Sequence, residues 1–109
     1  MVGKPSEFAA VLGVIDPDAT AAGTVTSDWC SMEKYRKMMA IVFAGTLGTS
    51  ATLDAKLEQA SDSSGTGAKD ISGKSITQLT QAGTDSDKQA IIEVDAAELD
   101  VANGFDHVR

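Results

Sequence analysis

The stretch from Ala51 to Ile71 reads ATLDAKLEQASDSSGTGAKDI, and the conformation of its first half decides the fold class. Its residues favour helices by intrinsic propensity, yet Leu53 and Leu57 fit both a period of two and a spacing of four. The segment is short for an independent helix, usual for a strand, and lacks a capping box. We therefore expect a strand over 51–60, followed by a hairpin loop over 61–70. Its inward residues would be Leu53 and Leu57, and its solvent-facing residues Asp54, Lys56 and Glu58.

Strand-like patterns recur through the rest of the chain. Runs of β-branched and apolar residues, bounded by Gly, Ser and Asp, indicate strands at 24–32, 38–45, 75–83 and 88–96, with 38–45 buried. One short helix fits 95–104, because an aspartate can cap its start and a glycine can end it. The final residues FDHVR, 105–109, resemble the beginning of a strand with an open edge. The chain is thus predicted to be mainly β.

Length and charge set limits on organisation and partners. A chain of 109 residues with a net charge of −7 forms one domain and is a poor partner for duplex DNA or an anionic membrane. Turn chemistry at 16–23 separates an irregular N-terminal arm, residues 1–23, from the β domain, residues 24–109. The apolar run 8–15 resembles a signal peptide only weakly and lacks a convincing cleavage site, so we expect an unprocessed start.

Candidate catalytic and metal motifs are weak. The SGKS at 72–75 would need a glycine where Ala68 stands to form a phosphate-binding loop, so Lys74 is expected in a solvated turn. The loop beginning at Asp62 lacks the glutamate that a calcium loop needs at its twelfth position. Cys30 is the only cysteine and is interpreted as a small buried residue. We expect no catalytic residues, no metal and no cofactor.

A resemblance adds a lineage to this pattern. The run 23–94 resembles small virion proteins of tailed bacteriophages that are encoded among head and neck genes. The matching elements are an acidic element ending in tyrosine at 32–35 and the KLEQASDSS segment at 56–64. The resemblance implies an antiparallel β-sandwich, often jelly-roll-like, whose relatives continue beyond the FDHVR position. It implies no catalytic residues.

The resemblance predicts a capsid decoration (cement) protein, a non-enzyme that binds and stabilises the major capsid protein lattice. It would self-associate as a homo-oligomer on the capsid surface of the virion after synthesis in the host cytoplasm. The alternatives are a head–tail connector or tail-completion protein, and a glycan- or ligand-binding module of a virion fibre. The arm at 8–15 is either a contact that folds on assembly or the first core strand. The predicted interface residues are Phe8, Val11, Leu12, Val14, Ile15, Phe105 and His107.

Overall fold

The computed structural model describes residues 4, 9–16 and 21–109. Within these residues the chain forms eight β-strands and two 3₁₀ turns, so it is mainly β, as the sequence predicts. The strands are β1 Cys30–Ser31, β2 Lys37–Phe43, β3 Thr52–Leu53, β4 Lys56–Ala60, β5 Lys69–Ser75, β6 Leu79–Thr80, β7 Gln89–Asp95 and β8 His107–Val108. The 3₁₀ turns are Ala96–Glu98 and Val101–Asn103.

The strands form three antiparallel sheets. The largest has four strands in the order β1-β8-β4-β5. Strands β2 and β7 pair along their full seven residues, and β3 pairs with β6. Only one strand pair is a hairpin between consecutive strands: β4 and β5, which the loop 61–68 connects. All the other paired strands are distant from each other in sequence.

The opening stretch is extended, but it is two strands and not the single strand predicted for 51–60. Asp54 and Ala55 separate β3 from β4, and the two strands belong to different sheets. At the break, the Ala55 carbonyl accepts the Ile76 N–H at 3.0 Å, and the Asp54 carboxylate accepts the Gln78 side-chain amide at 2.9 Å. Leu57 is buried as predicted, whereas Leu53 is only half-buried.

One core cluster contains side chains from two of the sheets and from the segments between them. The four-stranded sheet contributes Leu57, Ile71 and Val108, and β7 contributes Ile92 and Val94. Met32 and Leu99 complete the cluster. Fully burying an aliphatic side chain of this size contributes about 1.5–3 kcal/mol, so this cluster is a principal source of stability.

The predicted open edge at 105–109 is wrong. Strand β8 lies inside the four-stranded sheet, where Val108 pairs with Cys30 on one side and with Gln59 on the other. Beyond the strand, the backbones of Glu58 and Arg109 exchange two hydrogen bonds of 2.9 and 3.1 Å. Val108 is completely buried, because strands flank it on both sides and the core covers its side chain.

The predicted turn at 72–75 is also wrong, because these residues lie in β5. The sequence signal that suggested a turn has a local cause: Gly73 has φ +76°, and the register of β5 against β4 shifts around it. This bulge suits glycine, which has no Cβ to clash at positive φ. Lys74 is not solvated but lies 2.7 Å from Glu98, with its side chain 20% exposed.

The remaining strand predictions differ in their outcome. The strand at 88–96 is confirmed as β7. The single short helix predicted over 95–104 is instead two 3₁₀ turns, although Asp95 caps the first, in a capping box with Glu98, and Gly104 ends the second, as predicted. The strands predicted at 24–32 and 75–83 are reduced to the two-residue strands β1 and β6. In the second of these segments, residues 81–84 form a turn, in which the Thr84 N–H donates to the Gln81 carbonyl at 3.0 Å.

Candidate interaction surface

The β2–β7 pair has one face in the core and one face in solvent. Side chains alternate along both strands, so Met38 and Ala40 pack against the core together with Ile92 and Val94. The opposite face carries large apolar side chains from both strands. We call this set the outer face: Met39, Ile41 and Phe43 of β2, with Ile91 of β7. The prediction of a buried strand at 38–45 is therefore right for only one side of β2.

The outer face is strongly exposed. Phe43 is 73% exposed, Met39 54%, Ile91 52% and Ile41 45%. The four side chains are neighbours, since Met39, Ile41 and Phe43 follow one another at every second position and Ile41 pairs directly with Ile91. Single exposed apolar residues are ordinary on protein surfaces, but a contiguous group marks a site of interaction.

The backbone of β2 is also open on one side. The Ala44 N–H donates to the Lys88 carbonyl at 2.9 Å, and the Ala96 N–H donates to the Arg36 carbonyl at 2.7 Å. These bonds flank the strand and show that its even-numbered residues direct their backbone groups toward β7. The odd-numbered residues 37–43 therefore direct theirs away from β7. No strand in the described part of the chain pairs with this edge.

A groove of about 1330 Å³ runs along β2 and the core opening beneath it. The arm segment 9–15 forms one wall, and Met38, Ile41 and Leu57 contribute to the other. The arm runs beside Cys30, since a Cβ on Gly13 would lie 3.8 Å from the Cys30 sulfur. The groove thus combines a largely apolar lining, which also includes six charged side chains, with the unpaired edge of β2.

The predicted interface residues of the arm line this groove where they are described. Val11, Val14 and Ile15 are exposed, at 85%, 63% and 53%, while Leu12 is half-buried. Residues 9–15 form no strand, so the alternative of a first core strand is wrong for them. Phe8 lies outside the described residues. An interface role for the arm stays a prediction, and its exposed apolar side chains agree with it.

Phe105 and His107 contact their own chain. The Lys69 ammonium lies 4.4 Å from the centre of the Phe105 ring, which is half-buried. Nδ1 of His107 lies 2.6 Å from a carboxylate oxygen of Asp106, and this hydrogen bond lowers the pKa of Asp106. The interface role of Phe105 and His107 stays a prediction. The open strand edge that motivated it is absent, because β8 is paired on both sides.

The acidic loop 61–68 is organised by its own backbone. One carboxylate oxygen of Asp62 accepts the N–H groups of Ser64 at 2.9 Å and of Thr66 at 3.1 Å, and hydrogen bonds from Thr66 are the main cause of its lowered pKa. Gly65 lies so close to Trp29 that a Cβ would be 2.8 Å from the indole nitrogen. The loop thus uses its acid to hold a turn over Trp29.

Other chemistry is limited in the described residues. They contain no group of three or more His, Cys, Asp and Glu side chains that could hold a metal ion. None of their helices is long and apolar enough to cross a membrane. Cys30 is half-buried, and burial, with a smaller effect from Asp28, raises the pKa of its thiol. A raised pKa reduces the thiolate fraction and hence the reactivity of the thiol.

No protein-family model, curated protein or solved structure matches the chain. The sequence of β2 alone does not indicate an outer face, because the strand is apolar at nearly every position and so shows no alternation between buried and exposed sides. The signal lay in its partner: in β7, Gln89, Glu93 and Asp95 alternate with apolar residues. That alternation indicates a solvent-facing side, and the odd-numbered residues of β2 share it.

Proposed function

We propose that the chain is a structural protein that acts by binding other protein surfaces, with the outer face as its main contact. The observation that carries this proposal is that four apolar side chains lie next to one another and are each at least 45% exposed. They are Met39, Ile41, Phe43 and Ile91. Covering apolar surface stabilises a complex by roughly 25 cal/mol per Å² before the costs of association. A rigid seven-residue strand pair presents this surface at little entropic cost.

The resemblance supports a more specific role, a decoration (cement) protein bound to the major capsid protein lattice of a tailed phage. In this role the antiparallel sheets are the layers of a jelly-roll-like sandwich, and the protein is located in the virion. Apolar contacts between this chain and neighbouring capsid subunits would hold the shell together. Binding is the whole mechanism, with no catalytic step and no cofactor.

The distribution of charge supports an oriented attachment. The net charge is −7, whereas the four side chains of the outer face are uncharged, and the nearest acid on their side of the sheet is the exposed Glu93 opposite Met39. Exposed carboxylates also lie in the loop 61–68, at Asp62, and in the turn before β7, at Asp87. A particle that buries the apolar face and exposes these acids remains soluble.

The arm supplies a second contact in this proposal. Its residues 9–16 form no regular secondary structure and are exposed except for the half-buried Leu12, so they bury little surface within the chain. A short apolar segment of this kind gains order when another surface covers it. Binding by both the arm and the outer face would couple their free energies and make attachment to a lattice cooperative.

The test measures the protein in particles purified on density gradients from cells that carry the gene and produce phage. We expect the wild-type chain to co-purify at a copy number comparable with that of the major capsid protein. The double substitution Ile41→Ser and Phe43→Ser should reduce its amount in particles at least tenfold. The matched control is Val101→Ser, which removes an apolar side chain that is 63% exposed outside the outer face.

The outcomes separate the roles. Absence of the wild-type chain from particles, despite its presence in the lysate, contradicts the virion proposal. A copy number fitting one ring per particle favours the connector or tail-completion role. Equal incorporation of the double variant and the control contradicts the outer face as the contact. A melting temperature that rises with added glycan, without incorporation into heads, favours the ligand-binding alternative.

A further inference from the structure

We infer that β2 pairs with β2 of a second copy of this chain, antiparallel and about a two-fold axis at Ala40, to give a continuous sheet in the order β7-β2-β2-β7. The inference concerns the backbone edge of β2 and the purified chain alone. It does not rest on the virion role, and either proposal can fail without the other.

The first support is the match between backbone groups. The residues whose N–H and C=O groups point away from β7 are Lys37, Met39, Ile41 and Phe43. An axis at Ala40 places Met39 opposite Ile41 of the second copy and Lys37 opposite Phe43 of the second copy. All four are then hydrogen-bonded positions in both copies. A shift by two residues in either direction loses one of these pairs, so this register satisfies the largest number of backbone groups.

The second support is charge complementarity. The chain carries a net charge of −7, which opposes association in general. The strand β2 contains no acid, and its only charged residue is Lys37 at one end. The two-fold axis separates the two lysines to opposite ends of the paired strands. It also brings each lysine toward the end of the other copy's β2–β7 pair, where the acidic turn with the exposed Asp87 lies. The pairing thus keeps the two Lys37 side chains apart and brings each toward Asp87, in a turn where Lys88 is already paired with Asp85.

The third support is the groove beside the edge. Its volume of about 1330 Å³ leaves room for an added strand, and its lining is largely apolar, with six charged side chains among the residues that line it. Met38 and Val42 of the second copy would direct their side chains toward the core opening, which Leu57 and Val94 line. Added strands gain affinity from such main-chain bonds and specificity from alternate side chains.

Pairing leaves the outer face uncovered and joins two copies of it. On that face Met39 lies beside Ile41 of the second copy, so the apolar group of each chain becomes one surface across four strands. A single seven-residue edge is a small interface, and we therefore expect a reversible dimer whose population depends on concentration.

The first experiment is sedimentation velocity of the purified chain over a wide range of concentrations, with Ile41→Pro and Ile41→Thr as matched variants. Proline removes an outward-pointing N–H at the edge, whereas threonine keeps the N–H and removes the same apolar side chain from the outer face. We expect a monomer–dimer equilibrium for the wild type and for Ile41→Thr. The dissociation constant of Ile41→Pro should be at least tenfold higher.

A second measurement does not require the proline variant to fold. In a Cys30→Ser background, Ala40→Cys would place two cysteines opposite each other at the axis, at a non-hydrogen-bonded pair with Cα atoms about 4.5 Å apart. That separation permits a disulfide. Mild oxidation should give a covalent dimer, while Ala97→Cys, an exposed control position in the first 3₁₀ turn, should not.

Three results would overturn the inference. One is a wild-type monomer at every concentration, and another is cross-linking of Ala40→Cys no faster than that of Ala97→Cys. The third is equal weakening by Ile41→Thr and Ile41→Pro, since that would assign the contact to the outer face. If the β2 edge binds a different protein and not a second copy of this chain, the purified wild type would be a monomer at every concentration.

Discussion

Strands β8 and β2 differ in length and in their position within a sheet, and the shorter strand is the central one. Strand β8 has two residues, yet it lies inside the four-stranded sheet with partners on both sides. Strand β2 has seven, mostly apolar residues, yet it pairs on one side only and exposes one face. Length and hydrophobicity therefore do not indicate which strand is central. What distinguishes β8 is the number of its partners, since Val108 is fully buried and Phe43 is 73% exposed.

The largest expected effect comes from placing the same acid in each strand. Val108→Asp would bury an unpaired carboxylate in the core and should destabilise the protein by about 4 kcal/mol or more. Ile41→Asp should cost no more than about 1 kcal/mol, mainly through lower strand propensity. Urea denaturation followed by circular dichroism measures both. Equal losses would show that the two strands are equally buried in solution.

A second, smaller contrast compares the cations at the ends of these strands. Arg109 lies 3.2 Å from a carboxylate oxygen of Glu58 and 4.5 Å from the centre of the Trp29 ring. Arg109→Ala should therefore cost about 1 kcal/mol and change the fluorescence of Trp29. Lys37→Ala, in an exposed position of β2, should leave the stability of the monomer within about 0.5 kcal/mol. A larger loss for Lys37→Ala would contradict the contrast.

Lys74 should have a smaller effect still. It lies 2.7 Å from Glu98, which is partly exposed, so Lys74→Ala should cost about 0.5 kcal/mol or less. Thermal unfolding of the variant, with Lys69→Ala as the comparison at a second ion pair, measures this. Because Lys74 lies in a bulged strand, we also expect no saturable ATP binding by the wild type. ATP binding that Lys74→Ala abolishes would contradict the assignment.

Acid should act weakly on both regions. The hydrogen bond from His107 lowers the pKa of Asp106 beside β8, and Lys88 lowers the pKa of Asp85 in the turn before β7. A lowered carboxyl pKa stabilises the fold above the unfolded value of about 3.9, and this contribution disappears as the pH falls through the folded pKa. The melting temperature should thus decline below about pH 4. Asp85→Asn and Asp106→Asn should each make that decline shallower, and an unchanged slope would contradict these assignments.

The sequence predicted those features that depend on neighbouring residues. The alternation in β7, the Asp95 cap and the loop 61–68 follow from local propensity and turn chemistry, and the structure contains all three. It failed where the answer depends on distant partners. Nothing local in FDHVR indicates that β8 lies between β1 and β4, and nothing local in 51–60 indicates that its halves belong to different sheets.

The interaction surface shows the same division. Exposed apolar residues in the arm follow from its composition, but the outer face does not follow from β2 alone, since Met38 and Met39 are the same residue on opposite faces. The pairing with β7 determines which side of β2 faces the core and which faces solvent. Reading two strands together, before either is called buried, would have identified Met39, Ile41 and Phe43.

The placement of β8 has a consequence for the rate of folding. In β8, Val108 pairs with Cys30 and with Gln59, and β2 pairs with β7, which follows it much later in the chain. Most sheet contacts therefore join residues that are distant in sequence, which gives the protein a high contact order. Proteins dominated by such non-local pairing fold in milliseconds to seconds and not in microseconds. During that interval the apolar β2 is exposed on both faces and both edges, the condition in which folding intermediates aggregate. Stopped-flow fluorescence of Trp29, which Arg109 covers only after β8 is in place, would follow the slow closure of the sheet.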